Sequence, residues 1–216
     1  MTESNHTPDA PPRVIYDRLA AYYDRAFQPL EDKFLKRWRA ETLGALPPGA
    51  FILEVGCGTG LNFSHYPAEA SGVASELSRE MIVRAQTKQR PQLLQLAQAR
   101  AEALPFAPHT FDAAFATLVF CSVTSPPAAF AELRRVVKPG GTIALLEHVR
   151  PDNFMGPIFD AVSFVTVRLF DDHFNRQTAD EARRAGLEIT RIENKLRGAV
   201  QLIVCRNTHH SQPLLE

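Results

Sequence analysis

The sequence predicts a doubly wound α/β domain, with a mostly parallel seven-stranded sheet, helices on both faces and a C-terminal antiparallel hairpin. Three observations predict it. Short apolar runs alternate with amphipathic segments between residues 51 and 148, as in consecutive β-α-β units. A glycine-rich stretch directly follows the first apolar run. Two alternating segments, residues 187–194 and 200–206, close the chain with no helix between them, which is typical of an antiparallel pair.

The N-terminal region is predicted to be helical, because apolar and aromatic residues recur at every third or fourth position between residues 13 and 43. Pro29 is expected to divide this region into two helices. Ser78 suits the N-cap of a later helix. The predicted strands cover residues 51–55, 71–76, 92–99, 111–119, 142–148, 187–194 and 200–206. The later predicted helices cover residues 78–88, 127–137 and 178–186, and a further helix is expected to begin at Leu61.

Length and composition limit the classes of protein to consider. The 216 residues suit one domain with a sizeable core. The formal net charge is zero and the pI is about 7.1, which argues against nucleic-acid binding because such proteins carry a basic excess. The three cysteines lie far apart and no Cys-x-x-Cys occurs. Neither a disulfide framework nor a metal site is therefore predicted, and a cytoplasmic location is expected.

The distribution of polar and apolar segments predicts the domain boundaries. Residues 1–12 and 208–216 are polar and are expected to be disordered tails. Residues 13–48 form a predicted helical cap, and residues 49–207 form the main domain, into which an apolar lid at 151–177 is inserted. The first tail lacks the apolar run of a secretory signal. No stretch approaches the roughly 20 apolar residues that span a membrane.

The stretch ILEVGCGTGLNF, residues 52–63, places three glycines directly after the first predicted strand. Gly56, Gly58 and Gly60 permit a tight turn and allow a ligand to approach the backbone, at the edge of the sheet where such folds bind ligands. The dinucleotide fingerprint G-x-G-x-x-G fails in both registers, because its last position falls on Leu61 or Phe63. The sequence has no phosphate-binding P-loop either. A ligand without a pyrophosphate is therefore predicted.

Two acidic residues indicate which ligand the glycines accompany. Glu76 ends the second predicted strand, where a carboxylate can accept hydrogen bonds from both hydroxyls of a ribose. Glu54 lies two positions before the first glycine and suits an ammonium group. A ribose at one end and an amino acid at the other describe S-adenosylmethionine.

Four segments resemble motifs of the class I S-adenosylmethionine-dependent methyltransferases of the type 11 kind: EVGCGTG at 54–60, ELSREM at 76–81, AEALPFAPHTFDAAF at 101–115 and LRRVVKPGG at 133–141. The resemblance covers residues 16–206 and implies methyl transfer with S-adenosylmethionine as cofactor. It implies that the glycines line the methionine and ribose, that Glu54 holds the ammonium group directly or through water, and that Glu76 holds the ribose. The other cofactor residues it implies are Leu77, Met81, Ala101, Glu102, Thr117 and Leu118.

One position departs from the family pattern. Members often have Asp-Ala where this chain has Arg100-Ala101, and the aspartate accepts a hydrogen bond from the adenine amino group. Arginine has no acceptor. Either Glu102 substitutes for the aspartate, or the adenine amino group faces water.

The N-terminal region is the first candidate for recognising the methyl acceptor. Tyr16-Asp17 and Tyr23-Asp24 are seven residues apart and share one helix face. In many small-molecule methyltransferases such a repeat lies in a helix that closes over the cofactor, which makes Tyr16 and Tyr23 candidate catalytic residues; plain aromatic packing is the alternative. Residues 32–39, DKFLKRWR, are basic and amphipathic, as in an interfacial membrane helix. The alternative is a solvated helix that packs on the core through one face.

The second candidate is the apolar lid at 151–177, in which Phe159 and Phe164 are expected to contact a greasy acceptor. His148 precedes the lid and is a candidate base for an amine or enol, or else a structural histidine. Arg176 lies at the end of the lid and is expected to pair with a phosphate or with Asp172.

Further resemblances concern the acceptor. LEHVRP at 146–151 and FNRQT at 174–178 look like bacterial phosphatidylethanolamine N-methyltransferases, and TLVFCSV at 117–123 resembles animal thiol methyltransferases. Quinone-ring methyltransferases share the Tyr-Asp repeat. The predicted acceptor is the amine of phosphatidylethanolamine, with peripheral contact at the inner membrane face and no nucleic-acid partner. A quinone-ring or small-thiol methyltransferase and a non-catalytic cofactor-binding protein are the alternatives.

Overall fold

The computed structural model describes residues 24–25, 28–151 and 176–208. Its seven strands form one sheet in the order β3-β2-β1-β4-β5-β7-β6. Strands β1 to β5 pair in parallel, and β7 runs antiparallel to both β5 and β6. The predicted fold class is therefore confirmed. The strands are β1 Phe51–Val55, β2 Ser71–Glu76, β3 Leu93–Gln98, β4 Phe111–Thr117, β5 Val137–His148, β6 Glu188–Lys195 and β7 Val200–Arg206.

Four α-helices flank the sheet in the described residues: α1 Lys36–Gly44, α2 Arg79–Gln86, α3 Pro126–Val136 and α4 Thr178–Arg184. Ser78 caps α2 as predicted, because its hydroxyl accepts a hydrogen bond from the Met81 N–H at 3.2 Å. A π-helical turn, Glu31–Leu35, leads into α1. Pro29 lies at the start of a continuous helical stretch, residues 28–44, and residues 26–27 before it are outside the described ranges.

The prediction of a helix that begins at Leu61 is wrong. The chain there forms turns and a single 3-10 turn, Phe63–His65. Pro67 limits any helix at this point. In addition, Asn62 and Tyr66 are buried and hydrogen-bonded beneath the sheet edge, which fixes a backbone path that a regular helix would not follow.

Helix α1 packs on the sheet through its apolar face. Leu35 and Trp38 contact a buried cluster on β5 and β7 that includes Leu146 and Leu202. Trp38 is only 8% exposed. The alternative of a helix packed on the core therefore fits, and Trp38 is not a membrane anchor. In the described ranges, no helix is both long and apolar enough to cross a membrane.

The sheet order places the functional edge of the domain. In the sheet, β1 lies between β2 and β4. From β1 the chain adds β2 and β3 on one side of the sheet and then crosses to add β4 and β5 on the other side, so the strand order reverses between β1 and β4. The carboxyl ends of β1, β2 and β4, at Val55, Glu76 and Thr117, face the same edge. Ligands of such folds bind in the crevice at this reversal.

Candidate functional site

A cleft opens at the carboxyl ends of β1, β2 and β4. It holds about 940 Å³ of empty space, part of which is open to solvent. The structure brings most of the predicted cofactor residues together on its walls. Those that line it are Gly56, Gly58, Glu76, Leu77, Met81, Ala101, Glu102, Thr117 and Leu118.

The glycine turn leaves room for a ligand. Gly58 has a φ of 54°, and a Cβ at this position would meet no atom within 4 Å, so that it would project into open space. At Gly56 a Cβ would come within 2.5 Å of a Val119 methyl group, so this glycine allows the loop after β4 to approach the turn. Gly60 is different from the prediction: it is buried against the Phe63 ring and does not line the cleft.

Glu76 has two tasks at the end of β2. Its carboxylate accepts hydrogen bonds from the Gly58 N–H at 2.9 Å and from the Ser78 N–H at 2.8 Å. These bonds tie the glycine turn to the start of α2. A carboxylate offers about four acceptor sites, so Glu76 can order the turn and still accept hydrogen bonds from a ribose.

Glu54 does not lie where the sequence analysis expected it. Its side chain is fully buried and is not part of the cleft wall. Its two carboxyl oxygens accept hydrogen bonds from Asn62 Nδ2 at 2.7 Å and from the Tyr66 hydroxyl at 2.9 Å. In this structure Glu54 therefore lies beneath the cleft wall, and of the two expected contacts with a ligand ammonium group the one through water fits this position. Burial raises its pKa from 4.5 to about 7.

Arg39 is the main site residue that sequence reasoning missed. It is 5% exposed, yet it lines the cleft. Its Nε donates to Glu31 at 2.9 Å, and its Nη1 donates to Asn62 Oδ1 at 3.0 Å and to Thr117 Oγ1 at 2.7 Å. The sequence pattern places Arg39 among the cations of the predicted interfacial helix at 32–39. A guanidinium fixed at the wall of a cleft can instead hold a carboxylate.

The N-terminal segment reaches the glycine turn through Asp24. The Thr59 hydroxyl donates to one oxygen of Asp24 at 2.5 Å, and Lys88 Nζ donates to the other at 2.7 Å. Asp24 belongs to the second Tyr-Asp pair. The candidate catalytic residues Tyr16 and Tyr23 themselves lie outside the described residues, as do Phe159, Phe164 and nearly all of the predicted lid.

At the opposite end of the cleft, Glu102 supports the loop before α3. Its Oε1 accepts from the Thr124 N–H at 2.9 Å, and Arg100 Nε lies 3.9 Å from its Oε2. The Arg100 side chain is about half exposed and lines the cleft. Glu102 Oε2 thus lies close to residue 100, the position where the family pattern places an aspartate.

The residues that flank the lid have defined surroundings. His148 ends β5 and is half-buried, and burial lowers its pKa from 6.5 to about 4, so its imidazole is neutral at neutral pH. Arg176 Nη2 donates to the carbonyl oxygen of Val123, a residue of the cleft wall, at 2.7 Å. Cys57 is buried, and burial raises the pKa of its thiol well above 9.0, so it is a protonated packing residue.

Comparison with known proteins decides the family. A family model described as a methyltransferase domain matches residues 53–145. Over 171 residues the chain is 31% identical to demethylmenaquinone methyltransferase of Renibacterium salmoninarum, a match that covers 77% of this chain and 70% of that protein. The chain belongs to the class I S-adenosylmethionine-dependent methyltransferases. This methyltransferase is also 32% identical over 162 residues to the ubiquinone/menaquinone biosynthesis C-methyltransferase UbiE of Shewanella sp. strain ANA-3, covering 69% of the chain and 64% of the relative.

Solved structures support the fold of this methyltransferase. An S-adenosylmethionine-dependent methyltransferase from Thermotoga maritima superposes with a TM-score of 0.70 at 22% identity, covering 91% of this chain and all of that one. The [4+2]-cyclase SpnF superposes with a TM-score of 0.62 at 17% identity, covering 94% and 85%. Because the same fold also carries a cyclase, the fold alone does not define the reaction or the acceptor.

The cleft fits S-adenosylmethionine, the cofactor of this family. Gly58 leaves open space beside the turn, Glu76 has acceptor sites left for a ribose, and Arg39 offers a guanidinium for a carboxylate. Glu76 and Arg39 come from opposite sides of the glycine turn, which matches a ligand with a ribose at one end and an amino acid at the other.

Replacing Glu76 with alanine is expected to weaken the binding of S-adenosylhomocysteine about tenfold or more, because hydrogen bonds to a charged group contribute roughly 1.5–3 kcal/mol. Titration calorimetry on the purified variant measures the change. Glu80→Ala is the matched control, because Glu80 is exposed on the first turn of α2 and does not line the cleft. An unchanged affinity in a folded Glu76→Ala protein would exclude a role for Glu76 in holding the ribose.

Proposed function

We propose that this methyltransferase transfers a methyl group to a ring carbon of a reduced quinone. The observation that supports this is the similarity to two quinone-ring methyltransferases, at 31% and 32% identity over more than two thirds of the chain. The names of both relatives refer to quinone acceptors. A quinone acceptor is one of the alternatives that the sequence leaves open, and it is the acceptor proposed here.

The residues of the cleft would fix the direction of the cofactor. When bound, S-adenosylmethionine supplies an electrophilic methyl group. Glu76 would accept hydrogen bonds from the ribose, while Arg39 would hold the amino-acid carboxylate beside Thr117. Two contacts at opposite ends of a ligand prevent it from rotating in the cleft, and such positioning is a large part of the rate of a displacement reaction.

His148, which ends β5 outside the cleft lining, is the proposed partner of the acceptor hydroxyl. A quinol carbon becomes nucleophilic as the neighbouring hydroxyl gives up its proton. The pKa of His148 is about 4, while that of a phenol is about 10, so complete transfer to the imidazole would be uphill by about 8 kcal/mol. We therefore assign His148 the role of a neutral hydrogen-bond acceptor that orients the hydroxyl. The hydroxyl proton leaves to water after the methyl group has bonded to the ring carbon, when the resulting protonated carbonyl is a strong acid.

The phosphatidylethanolamine acceptor predicted from the sequence has less structural support. Its membrane argument depended on the amphipathic helix at 32–39, in which Trp38 and Arg39 are buried. The exposed cations that remain there are Lys33, Lys36 and Arg37. No relative reported above has a phospholipid in its name. The phospholipid reading is therefore kept as one arm of the test.

A transfer assay tests the acceptor. The protein is incubated with methyl-labelled S-adenosylmethionine and demethylmenaquinol that is kept reduced in detergent micelles; parallel reactions contain phosphatidylethanolamine liposomes or an alkyl thiol. We expect label on the quinol ring carbon, loss of label with Glu76→Ala and no loss with Glu80→Ala. Label in phospholipid or thiol alone would overturn the quinone proposal. No label in any reaction, with S-adenosylhomocysteine binding shown by calorimetry, would favour a non-catalytic cofactor-binding protein.

A further inference from the structure

Glu147 is a fully buried carboxylate. It has no role in the cofactor contacts or in the chemistry proposed above. It lies one residue before the end of β5, with no exposed surface, and it does not line the cleft. Its Oε1 accepts a hydrogen bond from the Val119 N–H at 3.0 Å, and its Oε2 accepts one from the Phe120 N–H at 3.2 Å. Both amides belong to the loop that follows β4.

This loop begins with a strained residue. Leu118 has a φ of 58°, in the left-handed region that non-glycine residues rarely adopt. The Leu118 N–H donates to the Leu146 carbonyl oxygen at 2.7 Å. Three consecutive amides of the loop are therefore bonded to two consecutive residues of β5, Leu146 and Glu147. Strain of this kind persists only where the surrounding structure holds it.

The held loop forms one wall of the cofactor cleft. Leu118 and Val119 both line the cleft, and Val119 packs directly against Gly56 of the glycine turn. The opposite side of that turn is tied to Glu76 through Gly58. Glu147 thus holds the loop and Glu76 holds the glycine turn, and these are two neighbouring parts of the cleft wall. A shift of the Leu118–Phe120 loop would change the shape of the cleft.

We propose that Glu147 is a positioning residue for methyl transfer. By accepting the Val119 and Phe120 amides it holds the left-handed turn at Leu118, and thereby sets the position of the cleft wall that faces the glycine turn. This inference rests on the proposed function only in that the cleft must bind the methyltransferase cofactor. It does not depend on which acceptor is methylated.

The variant Glu147→Gln tests the proposal. Glutamine has the same shape, but its NH₂ group must face one of the two backbone N–H donors, so one hydrogen bond is lost and two donors are brought together. We expect the Kd for S-adenosylhomocysteine to rise about tenfold or more. Asp112→Asn is the matched control, because Asp112 accepts the Phe51 N–H at 2.9 Å at the opposite edge of the sheet; its Kd should change less than about twofold.

Both affinities are measured well below the melting temperature, with the folded fraction taken from the binding stoichiometry. A Glu147→Gln protein that melts at a lower temperature but binds with the wild-type Kd has lost only a structural contact, and this would overturn the proposal. If the variant does not fold, hydrogen exchange on the wild type decides. Slow exchange of the Val119 and Phe120 amides without cofactor supports a held loop, whereas exchange as fast as in an exposed loop overturns it. A Glu147-dependent Kd without quinol methylation would refute the proposed function alone.

Discussion

Arg39→Met is expected to destabilise the fold by about 3–5 kcal/mol, because it leaves one partner of a buried ion pair without a counter-charge. Glu31 is 8% exposed and accepts a hydrogen bond from Arg39 Nε at 2.9 Å. Asn62 and Thr117 each lose a donor as well. Denaturation by urea, compared with the wild type, measures the loss. Arg37→Met is the control: Arg37 pairs with Glu41 on the surface, where such a pair contributes about 0–1 kcal/mol.

A second variant separates the structural role of Arg39 from its proposed role in cofactor binding. In the double variant Glu31→Leu/Arg39→Met the orphaned carboxylate is gone, so part of the lost stability should return. The affinity for S-adenosylhomocysteine should stay low, because the guanidinium that would hold its carboxylate is still missing. Recovery of both properties would contradict the cofactor role. If Arg39→Met costs no more than Arg37→Met, the ion pair is not the buried anchor that the structure indicates.

The parts of the site that the sequence predicted are those whose positions depend only on where a strand ends and which residues follow it. The glycine turn follows a strand directly, and Glu76 ends the next strand, so strand order alone places both at one edge of the sheet. Thr117, which ends β4, and Leu118, which follows it, are placed by the same rule. No knowledge of side-chain contacts is needed for any of these positions.

The parts that were missed depend on contacts between distant segments. Arg39 and Asn62 are 23 positions apart, and Arg39 and Thr117 are 78 positions apart, with no periodicity that connects them. The amphipathic pattern of α1 showed an apolar face but not whether that face meets lipid or β5 and β7. Glu54 was placed one residue before the strand end, and only the structure shows Asn62 and Tyr66 covering it.

Glu54 and His148 are expected to change the stability of the wild type with pH in opposite directions. Their combined contribution should therefore change little between pH 4 and 7. Burial raises the pKa of Glu54 from 4.5 to about 7, so its contribution is present below pH 4.5 and is lost as the pH rises through about 7. Burial lowers the pKa of His148 from 6.5 to about 4. Its contribution is present above pH 6.5 and is lost as the pH falls through about 4.

Removing either side chain should reveal how the other changes the free energy of unfolding with pH. Each shift corresponds to about 3 kcal/mol across its window. In Glu54→Gln, the free energy of unfolding should rise relative to the wild type by that order between pH 4.5 and pH 7, because the falling contribution is gone. In His148→Gln it should fall relative to the wild type by a similar amount between pH 4 and pH 6.5. Urea denaturation at half-unit pH steps measures both differences.

The comparison with the wild type matters because other carboxyl groups also titrate in this range. Lys195 lowers the pKa of Glu41, and Arg135 lowers that of Glu132, so both add a rise of stability with pH that is common to all three proteins. It cancels in the differences. If both variants ran parallel to the wild type, Glu54 would not ionise near neutrality and His148 would not be held neutral. In that case the hydrogen-bond acceptor role proposed for His148 would lose its basis, because the imidazole would be protonated over part of the neutral range.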